Sequence, residues 1–297
     1  MNQQYKKVEK QNKTSNVLKL AKATMPLLGN VAPNFTANLF FKLFTTPKKI
    51  PLKPPHLEIL NRSNSFSYTI NDVWGIEESI KIVGYSWNRS GSKKILLVHG
   101  WNGKASDYYK LIPELIDNDF QIDAIDCKAH GDSEGKRSSM LDFIYSLNGY
   151  FDNFGVPDII IGHSLGATAS IFSAIDKNLY IDKIVLLANP IIMKNAFFAG
   201  FDQINLPQKS QKLVFESAEK LLGKKIDDFD LTKVELNNFH DILEIYVDHD
   251  EEISNEDTMK LLQTHPEIHS IKINNCGHNY IHRNSKAIQN ILQFIKK

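Results

Sequence analysis

The sequence predicts an α/β fold: a mostly parallel central β-sheet with helices on both faces, plus a small helical lid. Three observations predict it. From residue 56 onward, short apolar runs bounded by turn residues alternate with stretches of helical spacing, the pattern of a parallel sheet covered on both sides. One apolar run, Ile159-Ile160-Ile161, passes through Gly162-His163-Ser164-Leu165-Gly166 into the small-residue stretch Ala167–Ala174, which reads as strand, tight turn, helix. The segment 191–240 breaks the alternation. It lacks strand patterning, carries Ile191, Ile192, Met193, Phe197, Phe198 and Phe201, and then turns helical at about 208–222.

Each element has its own signal. Residues 1–16 are polar and lysine-rich and read as a frayed arm. Residues 17–44 read as helical in pieces, with apolar faces at Val17, Leu18, Leu20, Ala21 and at Leu39, Phe40, Leu43, Phe44, and with Pro26, Gly29 and Pro33 as breaks. Pro47, Pro51, Pro54 and Pro55 mark an extended connector. Strands are expected at His56–Arg62, Phe66–Ile70, Ile80–Trp87, Ile95–Val98, Gln121–Asp126, Asp158–Gly162, Ile184–Ala188, Ile242–Val247 and His269–Ile273. Helices are expected at Asp107–Asp117, at Ser139–Phe154 behind Ser138 or Ser139, after Ser164, at about 255–264 and at about 284–296. The expected organisation is a basic arm and helical extension over 1–55 and one domain over 56–297, with the segment 191–240 inserted as the lid.

Composition narrows the class. The 297 residues carry a net charge of only +1, so nothing global points to nucleic acid. The charge is uneven: residues 1–53 hold ten Lys and a single acid, Glu9, and the remainder is mildly acidic. Sparse cysteine, Cys127 and Cys276 alone, fits a reducing compartment. The apolar stretch after Asn16 is interrupted by Lys19 and Lys22, and no run reaches the ~18–20 residues of a membrane span. These features read as a cytoplasmic protein. The lysine-rich extension is expected to pack over the body, with a weak peripheral membrane contact through the arm as the second reading.

The chemistry converges on Ser164. A serine in a Gly-x-Ser-x-Gly turn between strand and helix is held out above the sheet. Its hydroxyl needs a base, and the base needs an orienting acid. In this arrangement the chain order is Ser, acid, His, with the last two on loops after later strands. Asp250 follows the strand ending at Val247, and His278 follows the last strand in Asn275-Cys276-Gly277-His278. Asp248, Glu251 and Glu252 compete with Asp250; of these Asp248 stands next. The acidic run 248–252 does not match a zinc or calcium spacing, and neither metal nor cofactor is expected. Negative charge developing on a substrate oxygen needs two donors. Leu165 N–H at the helix start is one, and Trp101 N–H in His99-Gly100-Trp101-Asn102-Gly103 is the other. His99, His130 and His163 sit beside motif glycines and read as structural, and His56 and His282 match no functional position.

The runs ILLVHGWNGKASDYYKLIPEL, DAIDCKAHGDSEG, IIIGHSLGA, DHDEEI and CGHN, in this order, resemble the α/β-hydrolase superfamily over about residues 56–297. Within it the chain looks most similar to the serine-hydrolase branch with a His-Gly-Trp oxyanion loop, described as esterase-, lipase- or serine-aminopeptidase-like. The resemblance implies hydrolysis of a small-molecule ester, thioester or amide by a Ser164–His278–Asp250 triad through an acyl-enzyme. It implies a structural role for Asp126, His130, Gly131 and Ser133 in the loop after the fourth core strand. Serine rather than aspartate at the elbow excludes a dehalogenase. The same residues would serve an acyltransferase, and a silent binding scaffold is the reading from another class.

Overall fold

The computed structural model describes residues 16–297. The expected frayed arm falls, but for Asn16, outside the described residues. Eight strands form one sheet: β1 (Asn64–Asn71), β2 (Ser79–Trp87), β3 (Lys93–Val98), β4 (Phe120–Asp126), β5 (Ile159–His163), β6 (Ile181–Leu187), β7 (Phe239–Val247) and β8 (His269–Ile273). Their order across the sheet is β1-β2-β4-β3-β5-β6-β7-β8. The pairs β1·β2 and β2·β4 are antiparallel, and every pair from β4·β3 to β7·β8 is parallel.

The parallel centre explains its own sequence. Ile95–Val98, Ile159–Ile161 and Ile184–Leu187 are buried on both faces, which is why they read as continuous apolar runs rather than alternating ones. Among the described residues ten α-helices cover the sheet: α1 (Asn16–Val31), α2 (Pro33–Phe44), α3 (Pro54–Asn61), α4 (Leu111–Asp117), α5 (Met140–Phe154), α6 (Leu165–Asp176), α7 (Met193–Ile204), α8 (Gln208–Leu222), α9 (Asn255–Thr264) and α10 (Ser285–Ile295). Two apolar clusters result. One joins α5, α6, α7, α8 and α2 to Leu96, Ile160 and Ile184; the other joins α3, α4 and α10 to Ile95, Ile161 and Val185. Successive residues of one strand thus serve opposite layers.

Two expectations are corrected. The strand expected at His56–Arg62 is α3. Pro54 and Pro55 occupy its first turn, where a missing N–H costs nothing, and the Lys53 N–H donates to His56 Nδ1 at 3.1 Å across that turn. The helical pieces expected in 17–44 are two helices, and α1 runs unbroken through Pro26 and Gly29. Burial of Met25, Gly29 and half-buried Ala21 along one face of α1 offsets the hydrogen bond that Pro26 removes.

Between β6 and β7 the chain builds α7 and α8, and the extension packs on them. Phe40 of α2 meets Phe201 of α7 with centroids 5.1 Å apart, and Phe44 meets Phe197 at 4.8 Å. The extension is also tied to the body. Arg137 Nη2 donates to Thr45 Oγ1 at 2.7 Å, the Ser138 N–H to Thr45 O at 2.8 Å, and the Lys48 N–H to Asn102 Oδ1 at 2.7 Å. Beneath Arg137, which lies 3.8 Å over the Trp74 ring, Lys128 is buried between the carboxylates of Asp72 and Asp142.

Candidate active site

The four loops expected to meet do so along one edge of the sheet, beyond the carboxyl ends of β3, β5, β7 and β8, where α/β sheets open a crevice. Ser164 joins β5 to α6 at φ 50°, ψ −128°, a backbone conformation that non-glycine residues rarely adopt. Neighbours hold it there: its N–H donates to Leu187 O at 2.9 Å, and its carbonyl accepts from the Ala167 N–H at 2.9 Å. Gly166 admits the end of β3 and the start of loop 99–103, since a Cβ there would stand 2.2 Å from His99 O. Leu165 is the first residue of α6, so its N–H belongs to the helix turn that has no acceptor within the helix.

The loop 99–103 abuts this turn. A Cβ added to Gly100 would lie 2.9 Å from Ser164 Cβ. His99 anchors the loop from below: its Nδ1–H donates to Gly100 O at 2.7 Å, and its Nε2 accepts the Cys127 N–H at 2.9 Å. Burial pulls the His99 imidazole down to about 4, so it stays neutral in these two roles. His130, which burial pulls down to about 3, packs at a tilt of 45° against His99 and edge-on against Trp101 with centroids 5.1 Å apart. Asp126 accepts the N–H groups of Ala105 and Asp132 at 2.7 and 2.8 Å, and burial raises its carboxyl to about 7.

Asp250 and His278 are in direct contact. His278 Nδ1–H donates to Asp250 Oδ2 at 2.9 Å, and both side chains are almost wholly buried. Asp250 Oδ1 accepts the Glu252 and Ile253 N–H groups at 2.8 and 3.0 Å. Burial pushes this carboxyl up, but His278 and the two amides outweigh that and hold it below the usual carboxylate range. Asp248, the competing acid, pairs instead with Lys272 at 3.0 Å. Of the others, Glu252 faces His278 Nε2 at 3.8 Å and accepts from Asn279 at 2.6 Å. The residue before Ser164 reaches the same histidine: His163 Nε2–H donates to His278 O at 3.1 Å, and the two rings lie 5.0 Å apart. Among the described residues no group of three or more His, Cys, Asp or Glu could hold a metal ion.

Ser164, Leu165 and Trp101 line a cavity of about 530 Å³, within the ~300–1,000 Å³ range of small-molecule sites. Its remaining wall is mostly apolar. Met193 and Phe197 come from α7, within the segment 191–240. Met25, Phe40, Phe41 and Phe44 come from α1 and α2, and sequence reasoning missed them. Their signal was the spacing 40, 41, 44, which defines one helix face but not what that face covers. His282 was also passed over; its ring packs 4.9 Å from His163 and burial holds it well below the usual histidine range.

Comparison with known proteins agrees with this architecture. Residues 93–213 match the model of the alpha/beta hydrolase fold. The chain is 27% identical over 127 residues to the uncharacterized hydrolase YugF of Bacillus subtilis, covering 40% of this chain and 45% of the relative. It is 29% identical over 119 residues to mouse monoglyceride lipase, covering 37% of this chain and 39% of the relative. The chain thus matches less than half the length of these curated relatives. Among solved structures, the esterase Pf2001 of Pyrococcus furiosus superposes with a TM-score of 0.60 at 17% identity, over 85% of this chain and 98% of that one. Mouse alpha/beta hydrolase domain-containing protein 10 gives 0.59 at 13% identity, over 78% and 97%. With its sheet order, its Ser164 turn and these matches, the chain has the α/β-hydrolase fold.

Proposed function

We propose that the protein is a serine hydrolase that cleaves carboxylic esters of apolar acyl chains through an acyl-enzyme on Ser164. The observation that carries this reading is the buried His278–Asp250 hydrogen bond of 2.9 Å on a loop that His163, the residue before Ser164 in a strained strand–helix turn, holds at 3.1 Å. His278 Nε2 takes the Ser164 hydroxyl proton as Oγ attacks the carbonyl carbon. The N–H groups of Trp101 and Leu165 hold the oxyanion. Collapse of the tetrahedral intermediate expels the alcohol, which leaves with the proton from His278. Water then attacks the acyl-enzyme by the same route and frees Ser164. Asp250 fixes the imidazole with its proton on Nδ1 and stabilises the imidazolium.

The apolar cavity supports an acyl substrate, and the names of the relatives, monoglyceride lipase and esterase, support an ester. In this reading 56–297 is the catalytic domain, 191–240 is its lid and 1–55 is a basic extension whose helices α1 and α2 wall part of the pocket. Free Cys127 and Cys276 support a cytoplasmic setting. The test is a panel of esters and thioesters of increasing acyl length with wild type and Ser164→Ala. Turnover that rises with acyl length and vanishes in Ser164→Ala supports the proposal. Equal turnover by the variant would refute it.

A further inference from the structure

Among the described residues, the outer face of α1 is apolar and uncovered. Leu20, Leu27 and Val31 recur at i, i+7 and i+11, one face of a helix, and are 64%, 72% and 80% exposed. Phe35, at the start of α2, is 61% exposed. The opposite face of α1 is already used: Met25 and Gly29 are buried, with Ser210 Oγ of α8 donating to Gly29 O at 3.3 Å. A helix apolar on two sides, with one side unpartnered, needs a second apolar environment.

Charge identifies that environment. Lys19, Lys22, Lys42, Lys48, Lys49 and Lys53 are all exposed, and no acid stands between Glu9 and Glu58. The rest of the chain is net acidic, so the basic charge is concentrated in the segment that carries this apolar face. Leucine, valine and phenylalanine beside lysines suit the acyl boundary and phosphates of an anionic bilayer. On α2, Leu43 is 61% exposed and lines the cavity that holds Ser164, as does Lys48.

We infer that α1 and α2 dock the protein flat on an anionic lipid surface and pass an acyl chain from that surface past Leu43 into the cavity. The delivery half rests on the hydrolase reading; the docking half does not. Apolar side chains buried in the interface supply the salt-insensitive part of the binding, and the lysines add a salt-sensitive attraction.

The test is co-sedimentation of the full chain with vesicles of phosphatidylcholine alone, or with a minority of phosphatidylglycerol. Expected is preferential binding to the anionic vesicles, weakened by salt. The triple variant Leu27→Ser/Val31→Ser/Phe35→Ser should bind roughly tenfold or more weakly. Hydrolysis of vesicle-borne long-chain esters should fall in parallel, while soluble short-chain ester turnover and fluorophosphonate labelling stay unchanged. Lys19→Glu/Lys22→Glu, which leaves the apolar face intact, should abolish the preference for anionic vesicles. Failure of wild type to sediment with anionic vesicles, or unchanged binding by the triple variant, would overturn the inference. So would light scattering that finds a wild-type dimer which the triple variant converts to monomer, since the face would then belong to a second copy. Vesicle binding without fluorophosphonate labelling would leave the docking in place and remove the hydrolase reading and the delivery step with it.

Discussion

His163, the residue before Ser164, donates from Nε2 to the main-chain carbonyl of His278 at 3.1 Å. The turn that presents the candidate nucleophile therefore also holds the loop of the candidate base. Burial, with His278 beside it, pulls the His163 imidazole down to about 3, so this donor does not titrate in the neutral range.

His163→Phe keeps an aromatic ring beside His278 but removes the donor. We expect a kcat at least about tenfold lower with KM little changed, because orientation of the base rather than substrate binding is lost. Steady-state kinetics on a soluble ester reads the split. A rise in KM alone would show that His163 does not position His278.

Ser164 is held at φ 50°. Such strain costs of order 1–3 kcal/mol, and glycine escapes most of it. Ser164→Gly should be about 1 kcal/mol more stable than Ser164→Ala by urea unfolding, both being inactive. Equal stability would mean that the turn stores no strain.

Lys128 lies buried between Asp72 and Asp142, whose carboxyls also accept from the amides of Trp74, Ile76 and Glu77 and from the Trp74 indole. Lys128→Met leaves two carboxylates buried without their cation, a loss of about 3–5 kcal/mol. Urea unfolding measures it. A loss below 1 kcal/mol would show that the carboxylates find water instead.

Acid should destabilise the fold. Burial holds His99 at about 4, and His130 and His163 at about 3, against 6.5 in an unfolded chain. Between those values the unfolded chain binds protons that the folded chain refuses. Their contribution is complete above about pH 6.5 and is lost as pH falls toward 4. Asp126 acts oppositely: raised from 3.8 to about 7, it favours the fold at low pH and loses that contribution as pH rises through 7. His56 and His282, also lowered by burial, act with these three, against the raised carboxyls of Asp126, Asp142 and Glu244, and the five histidines make the net direction destabilisation below about pH 6.5. The thermal midpoint followed from neutral pH to about pH 4 should fall; a flat or rising midpoint contradicts these assignments.

Much of this was legible in the sequence because parallel strands are buried on both faces and their loops carry the chemistry. Ile159–Ile161 could only be a central strand once Gly162–Gly166 followed it. Asp250 and His278 were found from chain order, and the structure places them 2.9 Å apart. What was not legible depended on packing. His56–Arg62 has the apolar spacing of either a strand or a short helix, and Pro54-Pro55 decided for the helix. Phe40, Phe41 and Phe44 marked an apolar face, but only the position of α2 against α7 shows that this face walls the cavity. His163 and His278 are 115 positions apart, and no local pattern announces their bond.

The central claim is that Ser164 is a nucleophile activated by His278 and Asp250. The most direct measurement is labelling of the folded full chain with a fluorophosphonate, followed by peptide mass spectrometry. The account predicts one adduct on Ser164, absent in Ser164→Ala and formed at least about a hundredfold more slowly in His278→Ala. A folded protein that carries no adduct on Ser164, or labels equally fast without His278, would contradict it.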